Sequence, residues 1–349
     1  MTAVHPPEGT APSGAARTAP PSARAARQKV GRTVADLHRV LVLAGGLSPE
    51  HEVSVRSGLR VAESLRRLDV EVQTADVDAA LLGRLAADPP QAVFPVLHGA
   101  PGEDGVIREV LEISGVPYVG ARPDACRAAF SKPIAKSLVA AEGVPVPRGV
   151  TLPKAAFRDL GARELVDRIA AALGLPLFVK PDQGGSAFGA APAATAEELS
   201  NALVSSFAYG DTAMVEERID GTEIAVGVVD TGDGPVALPP VEIVPDGGVY
   251  DYSARYTAGR TEFFAPARLD GAAVGAAMDA ALTAHRALGL RDLSRTDMIV
   301  EPSGRVVFLE ANVAPGMTET SLFPMALQAA GMDFGITCRE LAHRALLRG

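Results

Sequence analysis

Two short segments hold the side chains best suited to chemistry, Arg295-Thr296-Asp297 and Glu310-Ala311-Asn312. Around them, residues 298–300 and 305–309 read as apolar strands joined by a turn at Pro302-Ser303-Gly304. A strand repeats every two residues, so Arg295 and Asp297 share one face, and Glu310 and Asn312 share a face of the partner. If the hairpin closes on an even number of loop residues, Asp297 lies directly opposite Glu310. Facing carboxylates at roughly 5 Å repel and weaken a sheet. A divalent cation between them reverses the sign, and Asp, Glu and Asn oxygens suit magnesium, which keeps waters and bridges to phosphates. On spacing alone, two solvated acids on an exposed face fit equally well.

A second constellation is Phe178-Val179-Lys180-Pro181 followed by Gly184-Gly185-Ser186-Ala187-Phe188-Gly189. A strand delivers a lysine, and the glycine loop after it can offer backbone N–H groups to phosphate oxygens. The lysine precedes the glycines, so this is neither the GxxxxGK[ST] loop nor a GxGxxG dinucleotide loop. Read alone, it is an ordinary Gly-rich surface loop. A third stretch, Glu216-Glu217-Arg218-Ile219 with Glu223, could pin an adenine through its main chain and reach a ribose hydroxyl with Glu223. Alone it is a charged strand end. Glu50-His51-Glu52 and the loop from His98 to Gly105 each follow an apolar run, the usual place for substrate loops in parallel sheets. Ser54 reads as a helix N-cap. No GxSxG elbow or Cys–His nucleophile motif is present.

The elements that must position these residues follow from periodicity. Residues 39–44 and 92–97 are short apolar strands, and residues 54–68 carry helical spacing between them, which points to a parallel α/β unit. Residues 131–143 read as a helix stopped by Gly143 and Pro145. Strands are predicted over residues 175–179, 214–217 and 223–229, and helices over 271–288 and 332–347.

The 349 residues exceed a single-core domain, so two or three domains are expected. An apolar share of 47% excludes disorder throughout, and no apolar run approaches the eighteen residues a membrane helix needs. A net charge of −9 argues against nucleic acid or an anionic membrane as partner. Residues 1–37 stand apart: rich in Ala, Pro, Ser and Thr, with five basic against two acidic residues, they read as a disordered tail of charge +3, leaving −12 for the rest. Cys126 and Cys338 show neither metal spacing nor a disulfide framework. They read as buried apolar fillers in a reducing, cytoplasmic protein.

Taken in order, the segments LAGGLSPEHEVSVRSG, FPVLHGAPGEDG, GVPYVG, FVKPDQGGSAFG, VEERIDGTE, LPPVEIVPDGGVYDYSARY, SRTDM and LEANVAPGMTETSLFPM resemble the D-alanine–D-alanine ligases of the ATP-grasp superfamily, from about His38 to Leu346. The resemblance implies an α/β chain in which an ATP-grasp fold is preceded by a Rossmann-like parallel domain. Its expected boundaries are 1–37 for the tail, 38–130 for the parallel substrate domain, 131–215 for the central subdomain and 216–349 for the C-terminal metal-binding domain. It implies ATP-dependent joining of two D-alanines through a D-alanyl phosphate, for peptidoglycan, by a cytoplasmic homodimer without nucleic-acid or membrane partners.

Residue by residue, the resemblance makes Asp297, Glu310 and Asn312 ligands of two magnesium ions, with manganese an alternative. Lys132 and Lys180 match the ATP-phosphate lysines, and Glu216, Glu217, Ile219 and Glu223 the nucleotide clamp. Arg295 and the Gly316 N–H match the oxyanion stabilisers. Glu50 matches the group holding the first D-alanine's ammonium, with His98 nearby, and Ser321 the acceptor of the second carboxylate. Ser186 and Tyr256 match a pair hydrogen-bonded to Glu50 on loop closure. Tyr256 favours an amine nucleophile over D-lactate. The chain departs from the family at Arg255 (usually lysine), Ala187 (serine), Phe188 (valine) and Val313 (threonine), and Lys132 follows Ser131 instead of aspartate. These departures leave a paralogue joining other amino or hydroxy acids as the alternative.

Overall fold

The computed structural model describes residues 37–248, 250–251, 254–255, 257 and 259–348. The tail expected over residues 1–37 therefore lies outside the described residues except for Leu37, which is 5% exposed and already part of the core.

The first sheet is parallel, in order β2-β1-β3, with β1 at Arg39–Leu43, β2 at Glu71–Ala75 and β3 at Ala92–Pro95. Helices α1 (His51–Arg66), α2 (Leu81–Ala87) and α3 (Val106–Ile113) complete this unit. α1 begins three residues earlier than its apolar spacing suggested, and Ser54 is not its cap. Fully buried one turn inside the helix, Ser54 accepts the Gly45 N–H at 2.8 Å and donates to the Val96 carbonyl at 2.6 Å. It fastens the loops after β1 and β3 to each other. Two further helices, α4 (Pro123–Phe130) and α5 (Lys132–Ala141), lead away from the unit.

The second sheet is antiparallel, in order β4-β7-β5-β6, from Gly149–Pro153 (β4), Leu177–Pro181 (β5), Ala191–Ala193 (β6) and Thr212–Glu217 (β7). Leu177 and Val179 alternate inward against α6 (Lys154–Leu160), α7 (Ala162–Leu173) and α8 (Ala196–Ser206). The same alternation sends Phe178 and Lys180 to the opposite face.

The third sheet runs β11-β10-β8-β12-β13, with β9 pairing β8. Its strands are Thr222–Val229 (β8), Val236–Ala237 (β9), Val241–Pro245 (β10), Thr261–Phe264 (β11), Leu293–Val300 (β12) and Val306–Asn312 (β13). Helix α9 (Gly271–Ala287), capped by Asp270, lays Ala273, Ala277, Ala280, Ala281 and Ala284 on Ile224, Met298 and Phe308. A stripe of methyl groups lets the helix approach the sheet closely, which suits a chain with 5% aromatic residues. Helices α10 (Leu322–Ala329) and α11 (Phe334–Leu346) follow, and Leu341 and Ala342 of α11 share a core with Val61 and Leu65 of α1. Cys126 and Cys338 are buried and free, as expected of fillers. Among the described residues no helix is long and apolar enough to cross a membrane.

Candidate active site

Asp297 does face Glu310, but by a different route from simple hairpin parity. Val300 pairs Val306 across five loop residues, an odd number that on its own would set Asp297 against Leu309. A bulge between the Asp297 and Met298 pairs takes up Leu309 and restores Asp297↔Glu310, Thr296↔Ala311 and Arg295↔Asn312. It also breaks the alternation, so that Leu309 and Glu310, neighbours in sequence, line the same cavity. Both strands extend beyond their apolar runs to include the polar residues. Arg295 donates to both oxygens of Asp297 at 2.7 Å, and Asn312 Nδ2 reaches Asp297 Oδ2 at 3.3 Å. Burial opposes the Arg295 charge, but the Asp297 carboxylate outweighs it and keeps the guanidinium ionised.

Across the cavity stands the outward face of the second sheet. Lys180 Nζ lies 3.0 Å from Glu216 Oε2, and Lys132 Nζ lies 3.6 Å from Glu310 and 2.7 Å from the Gly184 carbonyl. Burial would raise the Glu310 carboxyl, yet the Lys132 and Lys180 ammoniums, with Arg255 and Arg295, hold it near 2. Burial lowers Lys132. Lys180 is raised because Glu216 and Glu310 outweigh its own desolvation.

Glu216 and Glu217 line the same cavity, though not by the main chain of Glu216. β7 is an interior strand, so its main chain at Glu216 is taken up by β4 and β5, while its side chain is buried between Lys180 and Lys136. The Glu217 N–H donates to the Arg148 carbonyl, and its carboxylate holds Arg148 Nε at 3.0 Å. Ile219 and Glu223 line the cavity, and burial, with Asp297 and Glu310 nearby, pushes Glu223 up to about 7.

At the substrate end, the Glu50 carboxylate accepts a hydrogen bond from the Ser186 hydroxyl and sits against two glycines. A Cβ at Gly99 would lie 2.8 Å from Glu50 Oε2, and one at Gly185 would lie 3.2 Å from either oxygen. Desolvation raises Glu50. His98 is buried and donates Nδ1–H to the Ala314 carbonyl at 3.0 Å. Desolvation lowers it to about 4, so it is neutral, and its Nε2 finds no partner among the described residues. Ser321 Oγ accepts the Thr318 N–H at 3.1 Å and lies 2.7 Å from the place of a Gly316 Cβ. Arg255 lines the cavity with its guanidinium 4.3 Å over the Tyr250 ring. Tyr256 lies outside the described residues.

Sequence reasoning passed over three side chains. Lys136, one turn after Lys132, is buried against Glu216. Glu103, which composition assigns to a loop, is buried, accepts the Gly99 N–H at 2.8 Å, and is pushed up to about 7 by desolvation and the Glu50 charge. Arg60 of α1 holds the Met317 and Thr318 carbonyls at 3.0 and 2.7 Å, fixing the loop that carries Gly316. Only the i,i+4 spacing of Lys132 and Lys136 was visible beforehand.

The open cleft measures about 710 Å³, within the usual range for small-molecule and cofactor sites. Phe178, Ile299 and Leu309 supply apolar wall, and Lys132 and Lys180 supply charge for an anion. Two carboxylates and an amide suit magnesium, which completes its shell with waters and phosphate oxygens. As a ligand Asn312 would present Oδ1, a half-turn of its amide. Among the described residues no three His, Cys, Asp or Glu side chains form a self-sufficient metal cage.

Comparison with known proteins agrees with this geometry. The D-ala D-ala ligase C-terminus family matches residues 138–342, and the D-ala D-ala ligase N-terminus family matches residues 82–121. The D-alanine–D-alanine ligase of Anaeromyxobacter dehalogenans is 38% identical over 310 residues, covering 89% of this chain and 97% of that protein. The Bacillus anthracis D-alanine–D-alanine ligase structure superposes with a TM-score of 0.74 at 28% identity, over 89% of this chain and 98% of its own. The VanG D-Ala:D-Ser ligase from Enterococcus faecalis gives the same TM-score and identity over 87% and 98%. With its parallel N-terminal sheet and the antiparallel sheets of an ATP-grasp fold, the chain belongs to the D-alanine–D-alanine ligase family.

Proposed function

We infer that the chain joins two D-alanines to D-alanyl-D-alanine for peptidoglycan, with ATP converted to ADP and phosphate. One observation carries the reading: Asp297 and Glu310 line one cavity with Lys132 and Lys180, and Arg295 and Asn312 flank Asp297 with hydrogen bonds. A carboxylate oxygen of the first D-alanine attacks the γ-phosphorus, and ADP leaves. The amine of the second D-alanine then attacks the acyl-phosphate carbonyl, and the tetrahedral species expels phosphate. Neither step needs a protein nucleophile; both need positioning and charge neutralisation.

Lys180 and Lys132 take the phosphates, Ile219 is the first residue past the β7 ladder to meet the adenine, and Glu223 meets the ribose. Asp297, Glu310 and Asn312 hold two magnesium ions, or manganese on the same oxygen donors, which supply further charge neutralisation at the transferring phosphoryl group. Arg295 and the Gly316 N–H stabilise the oxyanion, Glu50 and neutral His98 orient the first D-alanine, and Ser321 takes the second carboxylate. Ser186 and Tyr256 fasten the phosphate loop over Glu50, and Arg255 faces the phosphates beside it. The working protein is a cytoplasmic homodimer of three domains, the second ending after β7 at Glu217, because the expected break at residues 215–216 would cut that strand. The curated relatives are D-alanine–D-alanine ligases, so the paralogue reading motivated by Ala187, Arg255 and Val313 is not favoured.

The test is ADP release from ATP and magnesium with and without D-alanine, with the product identified by mass. D-Alanine-dependent ADP and a dipeptide of D-alanine are expected. ADP release only with D-serine, D-lactate or another acceptor would overturn the substrate assignment.

A further inference from the structure

Lys136 lies on the α5 face that carries Lys132, among the buried Ala135 and Val139, and its side chain is 7% exposed. A lysine placed so deeply is costly unless a specific partner holds it. That partner is Glu216, itself 4% exposed in its side chain, which gives Oε1 to Lys136 and Oε2 to Lys180. Glu216 and Lys180 border the cavity; Lys136 stands behind Glu216, outside the lining. One buried carboxylate is thus divided between a lysine facing the cavity and a lysine facing the core.

We propose that Lys136 is a positioning residue for nucleotide binding, holding one oxygen of Glu216 so that this carboxylate offers Lys180 only its other oxygen and leaves the Lys180 ammonium available to phosphate. This rests on the reading of Lys180 as a phosphate ligand. Without Lys136, Oε1 is a buried acceptor stripped of its donor, and the nearest replacement donor is Lys180. The carboxylate then closes on Lys180 with both oxygens, and an incoming phosphate must break that pair first. Removing the Glu216 charge as well abolishes the competition. A lysine that merely braced the fold would show no such suppression.

Two readouts on the full chain separate the cases: the KM for ATP in D-alanine-dependent ADP release, and the Kd of the non-hydrolysable analogue AMPPNP by calorimetry. Lys136→Met should raise both by about tenfold or more, as expected for a buried charged partner, and change kcat far less. Adding Glu216→Gln to Lys136→Met should bring both back to within about threefold of wild type, a coupling that independent sites would not show. Lys136→Gln, which still offers an N–H donor to Oε1, should keep both within about threefold of wild type, and a tenfold loss there would overturn the idea even if Lys136→Met does not fold. A double variant that binds no better than Lys136→Met, or a Lys136→Met that loses only thermal stability, overturns the proposal. A wild-type chain that binds AMPPNP but releases no D-alanine-dependent ADP refutes the proposed reaction, while the Kd series still decides the role of Lys136.

Discussion

The Arg295–Asp297 pair should bear on both stability and turnover, and the two effects can be separated. Its side chains are only 11% and 6% exposed and are joined by two bonds of 2.7 Å. Arg295→Ala leaves the Asp297 carboxylate buried without its main cation, and breaking a buried pair in this way costs about 3–5 kcal/mol. In a unit of this size each kcal/mol moves the melting temperature by about 2 °C, so a fall of about 6–10 °C is expected. If Arg295 also stabilises the developing oxyanion, kcat should fall by about 10²–10³, the usual cost of losing one preorganised donor. Arg295→Ala combined with Asp297→Ala separates the effects, because no orphaned charge remains: most of the lost melting temperature should return, and turnover should not. Scanning fluorimetry and coupled ADP release read the two quantities on the same samples. A kcat within a few-fold of wild type in Arg295→Ala would refute the assignment of this arginine to the chemistry. A double variant no more stable than the single one would refute the electrostatic account of the pair.

Three further outcomes follow from local geometry. Deleting Leu309 straightens the β13 ladder yet leaves Asp297 opposite Glu310, so magnesium-dependent turnover should survive while KM for ATP rises through the lost cavity wall; a kcat loss beyond about a hundredfold, the mark of an ångström-scale misplacement, would show that the bulge itself sets the geometry. His98 titrates near 4 in the fold against 6.5 for an ordinary histidine, so its contribution is complete above pH 6.5 and is lost as pH falls toward 4, by up to about 3 kcal/mol. His98→Gln should therefore flatten melting temperature against pH across that window, and an unchanged slope would show that His98 is not held neutral. Gly316→Ala places a methyl 2.7 Å from Ser321 Oγ, which must turn away from Thr318; the KM for the acceptor D-alanine should rise, and unchanged acceptor kinetics would remove Ser321 from that subsite.

What could be read beforehand divides along a physical line. Period two placed Arg295 with Asp297 and Glu310 with Asn312, because alternation depends only on neighbours in sequence. Whether the two pairs met depended on register, and parity pointed the wrong way: the five-residue loop is odd, and only the extra residue at Leu309 corrects it. A bulge has no reliable sequence signature, since its cause is the strand on the far side. Ser54 shows the same limit. Its position before an apolar repeat made a cap the natural reading, but carbonyl and amide groups from two other loops had the stronger claim on its hydroxyl.

The lysines carry that line into the electrostatics. Lys180 announced itself because a strand delivers it just ahead of a glycine loop. Lys136 did not, because a lysine within a helix is ordinarily a solvated one and its partner Glu216 lies 80 positions away. Glu216 in turn was read for its main chain, whereas its place in an interior strand commits the backbone to the ladder and leaves the side chain to act. Each shortfall has one origin: the pattern within an element is local, but the charge a buried group feels comes from the face opposite. Here the second and third sheets turn their polar faces toward one cavity, and Glu216 and Glu310 are read by cations from other elements, while Asp297 takes Arg295 from its own strand. Lys132 and Lys180 hold Glu310 near 2, whereas Glu223, which shares its side of the sheet with Asp297 and Glu310, rises to about 7. Of two glutamates alike in sequence, one is thus held ionised at neutral pH and ready to meet a cation, whereas the other is poised between its two forms and can donate a hydrogen bond when protonated.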